Sequence, residues 1–274
     1  MIILSDIHMN LDADKRPLFL TSIQAAVEND KERTLIIAGD ITSNGTQREY
    51  EEVAKWFHEL KKRNINLILA PGNHDTSQSI IITRVHMKER SRRLACLMDF
   101  VARQSIVVNR RDEFDMIYLV GEDVFFAART THHRLFHPTR VRRKQFEWAK
   151  LILTQEGLLP DNGYRLHLVT HQSLWRLPTN GNFKRDKHGH MNKRRRLGEE
   201  FLEPLAFSSA INGHNHNFAG GVRPIKKNSS FKIYHIQAPT ISEHKARKRN
   251  YTPGYVSWDP RIPESAEMIA LTPA

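Results

Sequence analysis

Apolar runs and polar breaks alternate along the first third of the chain in a strand, loop, helix rhythm. Met1 to Ser5 is a short aliphatic run that reads as a strand, and the polar Asp6-Ile7-His8 follows it. Pro17 opens a helical pattern through about Asn29, with Leu18, Ile23, Ala26 and Val27 expected to face inward. Thr34 to Ala38 is a second strand, closed by Gly39-Asp40. After a loop from Ile41 to Gly45, Thr46 and Glu49 have the spacing of a capping box. They predict a helix to about Lys62, with Val53, Trp56, Phe57 and Leu60 on its apolar face. The run Ile65 to Ala70 is a third strand, stopped by Pro71-Gly72 and followed by Asn73-His74-Asp75. Three such passages predict an α/β protein with a largely parallel sheet.

The rest of the chain is less regular. Ile80 to Gln104 is helical and basic on one face through Arg84, Lys88, Arg92 and Arg93. Asp115 to Val120 and Val124 to Ala128 read as two strands around a tight turn at Gly121-Glu122-Asp123. A polar loop, Arg129 to Arg140, leads into a helix at about Arg142 to Gln155, and Tyr164 to Thr170 is a strand that ends at His171. A long polar segment from Gln172 to about Arg196 precedes a short helix near Glu199 to Phe207. The strand Ser208 to Ile211 then runs into Asn212-Gly213-His214-Asn215-His216. Lys232 to Gln237, Tyr255 to Trp258 and Ala266 to Leu271 read as closing strands. No linker rich in Pro, Gly or Ser divides the chain, so residues 1–274 are expected to form one domain, with a basic insertion at about 172–197.

The polar residues at the strand ends carry the chemistry. Asp6-x-His8 and His214-x-His216 place side chains two apart, which puts both on one side of an extended segment. Either motif alone means little in a chain with 15 histidines. Asp40, Asn73 and His171 also follow predicted strands, so five strand ends offer oxygen or imidazole groups at the edge where α/β sheets bind ligands. Two Asp, one Asn and four His are enough for two cations sharing one carboxylate. Mixed nitrogen and oxygen donors without cysteine suit Mn, Fe, Zn, Ni or Co. Paired metals roughly 3.5–4 Å apart serve in-line displacement at phosphorus.

Together, Asp6-x-His8, Gly39-Asp40, Gly72-Asn73-His74-Asp75, His171 and Gly213-His214-x-His216 resemble the five blocks of the calcineurin-like metallophosphoesterase superfamily. The run from Gly39 to Thr46, with Glu49, Tyr50 and Glu51, is most similar to the cyclic-nucleotide phosphodiesterase branch. The resemblance implies a four-layer α/β/β/α sandwich, two mixed sheets flanked by helices, with a dinuclear site at the carboxyl-end rim. It assigns one metal to Asp6, His8, Asp40 and His216, and the other to Asp40, Asn73, His171 and His214, with Asp40 as the bridge. It gives His74 the scissile phosphate and the leaving group, and Asp75 the part of its orienting partner. A hydroxide bridging the two metals is expected to attack phosphorus in line. Two positions depart from the pattern: Ser43 stands where a second carboxylate is usual, and Gln172 where a second histidine is common.

Composition narrows the partners. The net charge is +12, which reads either as plain solubility or a general basic bias, or as attraction to polyanions, nucleic acid foremost. The positive charge is clustered at 84–93, 140–144, 184–196 and 245–249. The run Lys193-Arg194-Arg195-Arg196 lies between His171 and His214 and is expected to contact substrate along with Asn73 and His74, with Trp175 and Phe183 as stacking partners for bases. A phosphodiester in a nucleotide or nucleic acid is the expected substrate. The alternatives are a phosphomonoester on a small molecule or phosphoprotein, and a non-catalytic basic module that binds nucleic acid, which loss of ligands would mark. His188-Gly189-His190 lies among basic residues away from any strand, and His132, His133 and His137 lie in a polar loop. All five read as surface groups. Cys96, beside Leu94, Leu97 and Met98, is expected in the core. A single cysteine fits a reducing compartment, the cytoplasm by default. Met1 leads straight into strand-like sequence rather than a secretion signal, and no run approaches the roughly 20 apolar residues of a membrane span.

Overall fold

Strands β1 (Ile2–Leu4), β2 (Thr34–Ala38) and β3 (Asn66–Ala70) pair side by side in parallel. The computed structural model describes residues 1–9, 14, 16–76, 84–112, 114–130, 141–173, 201–224 and 230–271. β11 (Gly254–Asp259) adds to β1 antiparallel and β12 (Ile262–Ala270) adds to β11, giving a five-stranded sheet in the order β12-β11-β1-β2-β3. The second sheet is built from β4 (Val107–Arg110), β5 (Met116–Val120), β6 (Asp123–Ala128), β7 (Arg165–Thr170), β8 (Ser209–Asn212), β9 (Ala219–Pro224) and β10 (Lys232–Gln237). Its order is β4-β5-β6-β7-β8-β10-β9, with a parallel centre from β6 to β10 and antiparallel strands at both edges.

The aliphatic runs of β1, β2 and β3 are buried along almost their whole length, as expected where both faces of a parallel sheet are covered. The second sheet shows period-two alternation instead. Phe125, Ala127, Val169, Ile211 and Ile236 join the core shared with β1, β2 and β3. Val124, Phe126, Leu166, Leu168 and Ala210 face the other way, onto α5 (Arg143–Gln155) and the buried Phe201, Leu202 and Leu205. The outer side of the first sheet is covered by α1 (Arg16–Asn29), α2 (Gln47–Lys62) and α4 (Arg84–Ala102), while α3 (Asn73–Thr76) is a single turn after β3. Two mixed sheets thus lie between helices, the layering that the strand-end motifs imply.

α2 forms where its signals place it. The Thr46 hydroxyl accepts from the Glu49 N–H, and the Glu49 carboxylate accepts from the Thr46 N–H at 2.8 Å. Such a cap contributes about 1 kcal/mol. Val53, Trp56, Phe57 and Leu60 are buried, each stabilising by about 1.5–3 kcal/mol.

Several elements differ from the sequence reading. In α1 the inward stripe is Phe19, Ile23 and Val27, spaced by four, so Leu18 points to solvent at 56% exposure. Cys96 is exposed, because Leu94, Leu97 and Met98 take the buried side of α4. β4 and β9 are additional edge strands, and a short helix, α6 (Glu243–Arg249), lies in the basic cluster near the C-terminus. β12 begins at Ile262, four residues before the expected start. Lys193 to Arg196, His188, His190, Trp175, Phe183, His132, His133 and His137 all lie outside the described residues.

Candidate metal centre

Both sheets end at one rim. Asp6, Asp40 and Asn73 follow β1, β2 and β3, while His171 and His214 follow β7 and β8 of the facing sheet. Main-chain bonds tie these loops together. The Asp6 N–H donates to Gly39 O at 2.9 Å, and the His8 N–H to Asp40 O at 3.0 Å. Gly213 donates to His171 O at 3.0 Å, and the His214 N–H crosses between sheets to Asp6 Oδ2 at 2.9 Å.

The backbone is strained where the donors sit. Nine non-glycine residues among those described have positive φ, and five of them are Asp6, His8, Asp40, His214 and His216, at 48° to 71°. Each costs about 1–2 kcal/mol relative to the ordinary helical region. Strain concentrated in this way marks a functional site. Close packing adds a second demand. A Cβ on Gly72 would lie 2.1 Å from Asp40 Oδ1, and one on Gly213 would lie 1.5 Å from Ser5 Oγ, so only glycine lets these loops meet.

The side chains form two sets, linked by a third that shares His8 with one and Asp40 with the other. Asp6, His8 and His216 bring donor atoms within 4.8 Å of one another, as do Asp40, His171 and His214. A third grouping, His8, Asp40 and His74, spans the space between them. Asn73 completes the second set, its Oδ1 3.1 Å from His171 Nε2. His171 Nε2 also lies 3.1 Å from Asp40 Oδ2 and 3.1 Å from His214 Nδ1. In the first set, His216 Nε2 lies 3.1 Å from Asp6 Oδ1, and the His8 ring meets that of His216 edge-on at 5.7 Å. The seven residues expected from the sequence to hold metal all lie at this rim.

The donors fit metal ions on their own chemistry. Asp6 Oδ1, both ring nitrogens of His8 and Nδ1 of His216 are buried without a hydrogen-bond partner among the described residues. Unpaired buried polar atoms are costly, and converging ones call for a cation. His171 shows the outer support typical of a ligand: its Nδ1–H donates to Ala38 O at 2.8 Å, which turns the Nε2 lone pair into the site. Burial would raise the Asp40 carboxyl, but His171 and His74 outweigh it and hold the group well below the usual carboxylate range. Asp6 is likewise held low against burial by His216, His171 and His8. Burial pushes His8 down to about 3 against the pull of Asp40 and Asp6. Burial and His171 together push His214 down to about 4. His171 rises to about 9, since Asp40 and Asp6 outweigh its burial. Ionised carboxylates beside His8 and His214, which resist protonation, suit a pair of dications, and a cation bound at His171 would take the place of the Nε2 proton that the carboxylates favour there.

His74 stands over Asp40. Its N–H donates to Asp40 Oδ1 at 2.8 Å, its Nε2 is 3.9 Å from Asp40 Oδ2, and its ring meets His8 edge-on at 4.6 Å. The expected partnership with Asp75 is corrected. Asp75 accepts from the Thr42 N–H at 2.9 Å, the Thr42 hydroxyl at 3.0 Å and the Gly72 N–H at 2.9 Å, so its carboxylate is consumed in joining two loops. The His74 ring rests on the Ser43 carbonyl instead. Three further residues support the site, of which the sequence reading marked Gln172 only as a departure and passed over Ser5 and Thr240. Gln172 donates to Asn73 Oδ1 at 3.0 Å, Ser5 donates to Asp6 Oδ2, and Thr240 donates to the Asp6 carbonyl at 2.8 Å. Only Gln172 carried a signal, as the departure after His171.

Comparison with known families matches residues 1–218 to calcineurin-like phosphoesterase. No curated protein matches the chain. Among solved structures, a dimetal phosphatase from Danio rerio aligns with a TM-score of 0.58 at 10% identity, covering 93% of this chain and 90% of that one. Purple acid phosphatase PPD1 from yellow lupin (Lupinus luteus) seeds aligns with a TM-score of 0.54 at 14% identity, covering 86% of this chain and 43% of that one. At these identities the two structures bear on the fold.

Proposed function

The chain belongs to the calcineurin-like phosphoesterase family, and from that premise we propose that it hydrolyses a phosphodiester in a nucleotide or nucleic acid. Metal-dependent phosphoester hydrolysis is the activity that family and site support. The observation that carries it is the chain of three donor groups running from Asp6, His8 and His216 through His8, Asp40 and His74 to Asp40, His171 and His214, with orphaned buried atoms at Asp6, His8 and His216.

In this reading Asp6, His8, Asp40 and His216 hold one cation, and Asp40, Asn73, His171 and His214 hold the other. When bound, two such ions supply Lewis-acid stabilisation of phosphoryl oxygens and a nucleophile from water at neutral pH. The protein's own contribution is orientation and proton handling. Asp40 and Asp6 are fixed by the His74 and His214 N–H groups, so neither carboxylate has to reorganise during turnover. His74 keeps its Nδ1–H on Ser43 O and turns Nε2 toward the phosphate. There it neutralises developing charge or protonates the leaving oxygen.

The choice of a diester rests on charge. A net +12, with Lys193, Arg194, Arg195 and Arg196 between two ligand blocks, suits a substrate with several phosphates. Monoester hydrolysis is the second reading, in keeping with the word phosphatase in the names of the zebrafish and lupin proteins. A relic module without catalysis finds no support in a site that keeps every ligand. No described helix is long and apolar enough to cross a membrane, and the single cysteine supports a reducing compartment, the cytoplasm. The deciding experiment is a panel of cyclic nucleotides, single- and double-stranded oligonucleotides, and chromogenic mono- and diesters, run after reconstitution with Mn, Fe, Zn, Ni or Co. Turnover confined to monoesters would remove the diester reading.

A further inference from the structure

Helix α6 is fastened to the metal loops at both ends. Before it, Thr240 pairs with Ser5 at the end of β1, donates from its hydroxyl to the Asp6 carbonyl and donates its N–H to His216 O at 3.2 Å. Ser242 caps the helix, its hydroxyl accepting from the Lys245 N–H at 3.3 Å. At the far end Arg249 Nη1 reaches Asn215 O, at 3.3 Å, between the donors His214 and His216. Seven residues carrying four Lys or Arg side chains are thereby held against Asp6 and the His-x-His loop.

Lys245 sits midway between these anchors. It is half-buried, and its ammonium makes no hydrogen bond or ion pair among the described residues. The carboxylates Asp40 and Asp6 and the cations Lys248 and Arg249 all lie within electrostatic reach of it, as does His8. A partly buried cation without a partner is unfavourable. Once Asp6 and Asp40 neutralise two metal ions, they no longer offer it a counter-charge. A phosphate group seated at the metals would supply one from outside the protein.

We propose that Lys245 is a substrate-binding residue that contacts a non-bridging phosphoryl oxygen of the ester at the dinuclear centre, with Lys248 extending the positive rim toward the next anionic group. This rests on the phosphoesterase reading and adds a contact that no strand-end block supplies. Its ligand is defined by chemistry: a phosphate group presented beside Asp6 and Asp40.

The test uses the full chain, metal-loaded, with inorganic phosphate as the probe. Lys245→Met keeps the length of the side chain, and Lys245→Ala is the second variant. Both should retain the wild-type metal content by elemental analysis. The dissociation constant for phosphate measured by calorimetry should rise about 10- to 100-fold, as expected for one charge-assisted hydrogen bond. KM for a chromogenic ester should rise with it, while kcat changes less. Unchanged phosphate affinity in both variants would overturn the inference, as would loss of metal in both, which would make Lys245 structural. A wild-type enzyme that turns over no ester would overturn the phosphoesterase reading instead, an outcome distinct from an active wild type with unaffected variants.

Discussion

The imidazole of His74 rests on the main-chain carbonyl of Ser43, with Nδ1 2.6 Å from that oxygen. The Ser43 hydroxyl itself is buried and makes no hydrogen bond among the described residues. The departure from the usual carboxylate at this position therefore leaves the ring's support intact, because the support is backbone. That backbone is in turn fixed by Glu49, which accepts from the Ser43 N–H at 2.8 Å and the Asn44 N–H at 3.1 Å. The capping box of α2 and the posture of the His74 ring are parts of one structure.

Replacing His74 with Ala should separate proton handling from metal binding. Its Nε2 stands 3.9 Å from Asp40 Oδ2, at the edge of both donor sets. The variant is expected to keep the wild-type metal content and to lose roughly 10²–10⁴-fold in kcat, the usual contribution of a positioned acid or base. Loss of metal measured by elemental analysis would show that His74 is a ligand.

Much of this was legible in the sequence because the ligands follow aliphatic strands, and strands of continuous Ile, Leu and Val announce themselves. The capping box at Thr46 and Glu49 and the face Val53, Trp56, Phe57 and Leu60 were equally plain. What escaped has physical reasons. β9 reads Ala-Gly-Gly-Val-Arg-Pro, whose glycines and proline argue against a strand, and edge pairing with β10 overrides them. β4 has only four residues, all half-buried. α6 buries only Ala246, so no apolar stripe betrays it, and Ser242 as N-cap was its one signal. Asp75 follows His74 directly in sequence, yet its carboxylate serves the Thr42 and Gly72 loops, a long-range pairing that spacing does not reveal.

Acid stability should report on a buried histidine far from the metals. His167 lies between the sheets, with Nε2 3.0 Å from Asp123 Oδ1, Nδ1 2.8 Å from Ser209 Oγ and its ring edge-on to Trp258. Burial pushes its pKa down, although Asp123 pulls the other way. Below the unfolded value of about 6.5, the unfolded chain takes a proton that the fold refuses, so this contribution is whole above that pH and declines as pH falls. Its share of the slope is at most about 1.4 kcal/mol per pH unit. Urea unfolding of metal-loaded wild type and His167→Gln at pH 7 and 5.5 should show a smaller acid loss in the variant. Equal losses would contradict the assignment.

Substituting Lys193, Arg194, Arg195 and Arg196 together with Ser or Gln tests the substrate class. For oligonucleotides, removing each cation that pairs with a phosphate should flatten the dependence of log affinity on log salt by roughly 0.7–0.9. Turnover of a small chromogenic diester should stay within about twofold, a difference of about 0.4 kcal/mol. Equal loss on both would indicate structural damage. No loss on either would return the segment to a solvated face and favour a small-molecule substrate.

The central claim is that Asp40 bridges two metal ions, and Asp40→Asn tests it most directly. Asn tolerates the positive φ of 52° at this position, so the backbone is expected to persist. A neutral amide cannot balance two dications, and it leaves His171 without its ionic partner at 3.1 Å. Elemental analysis of the purified variant, alongside turnover, should show wild-type protein with two metal ions per chain, and the variant with one or both lost and no measurable hydrolysis. A variant that keeps two metals per chain and near-normal turnover would contradict the bridge and the mechanism built on it.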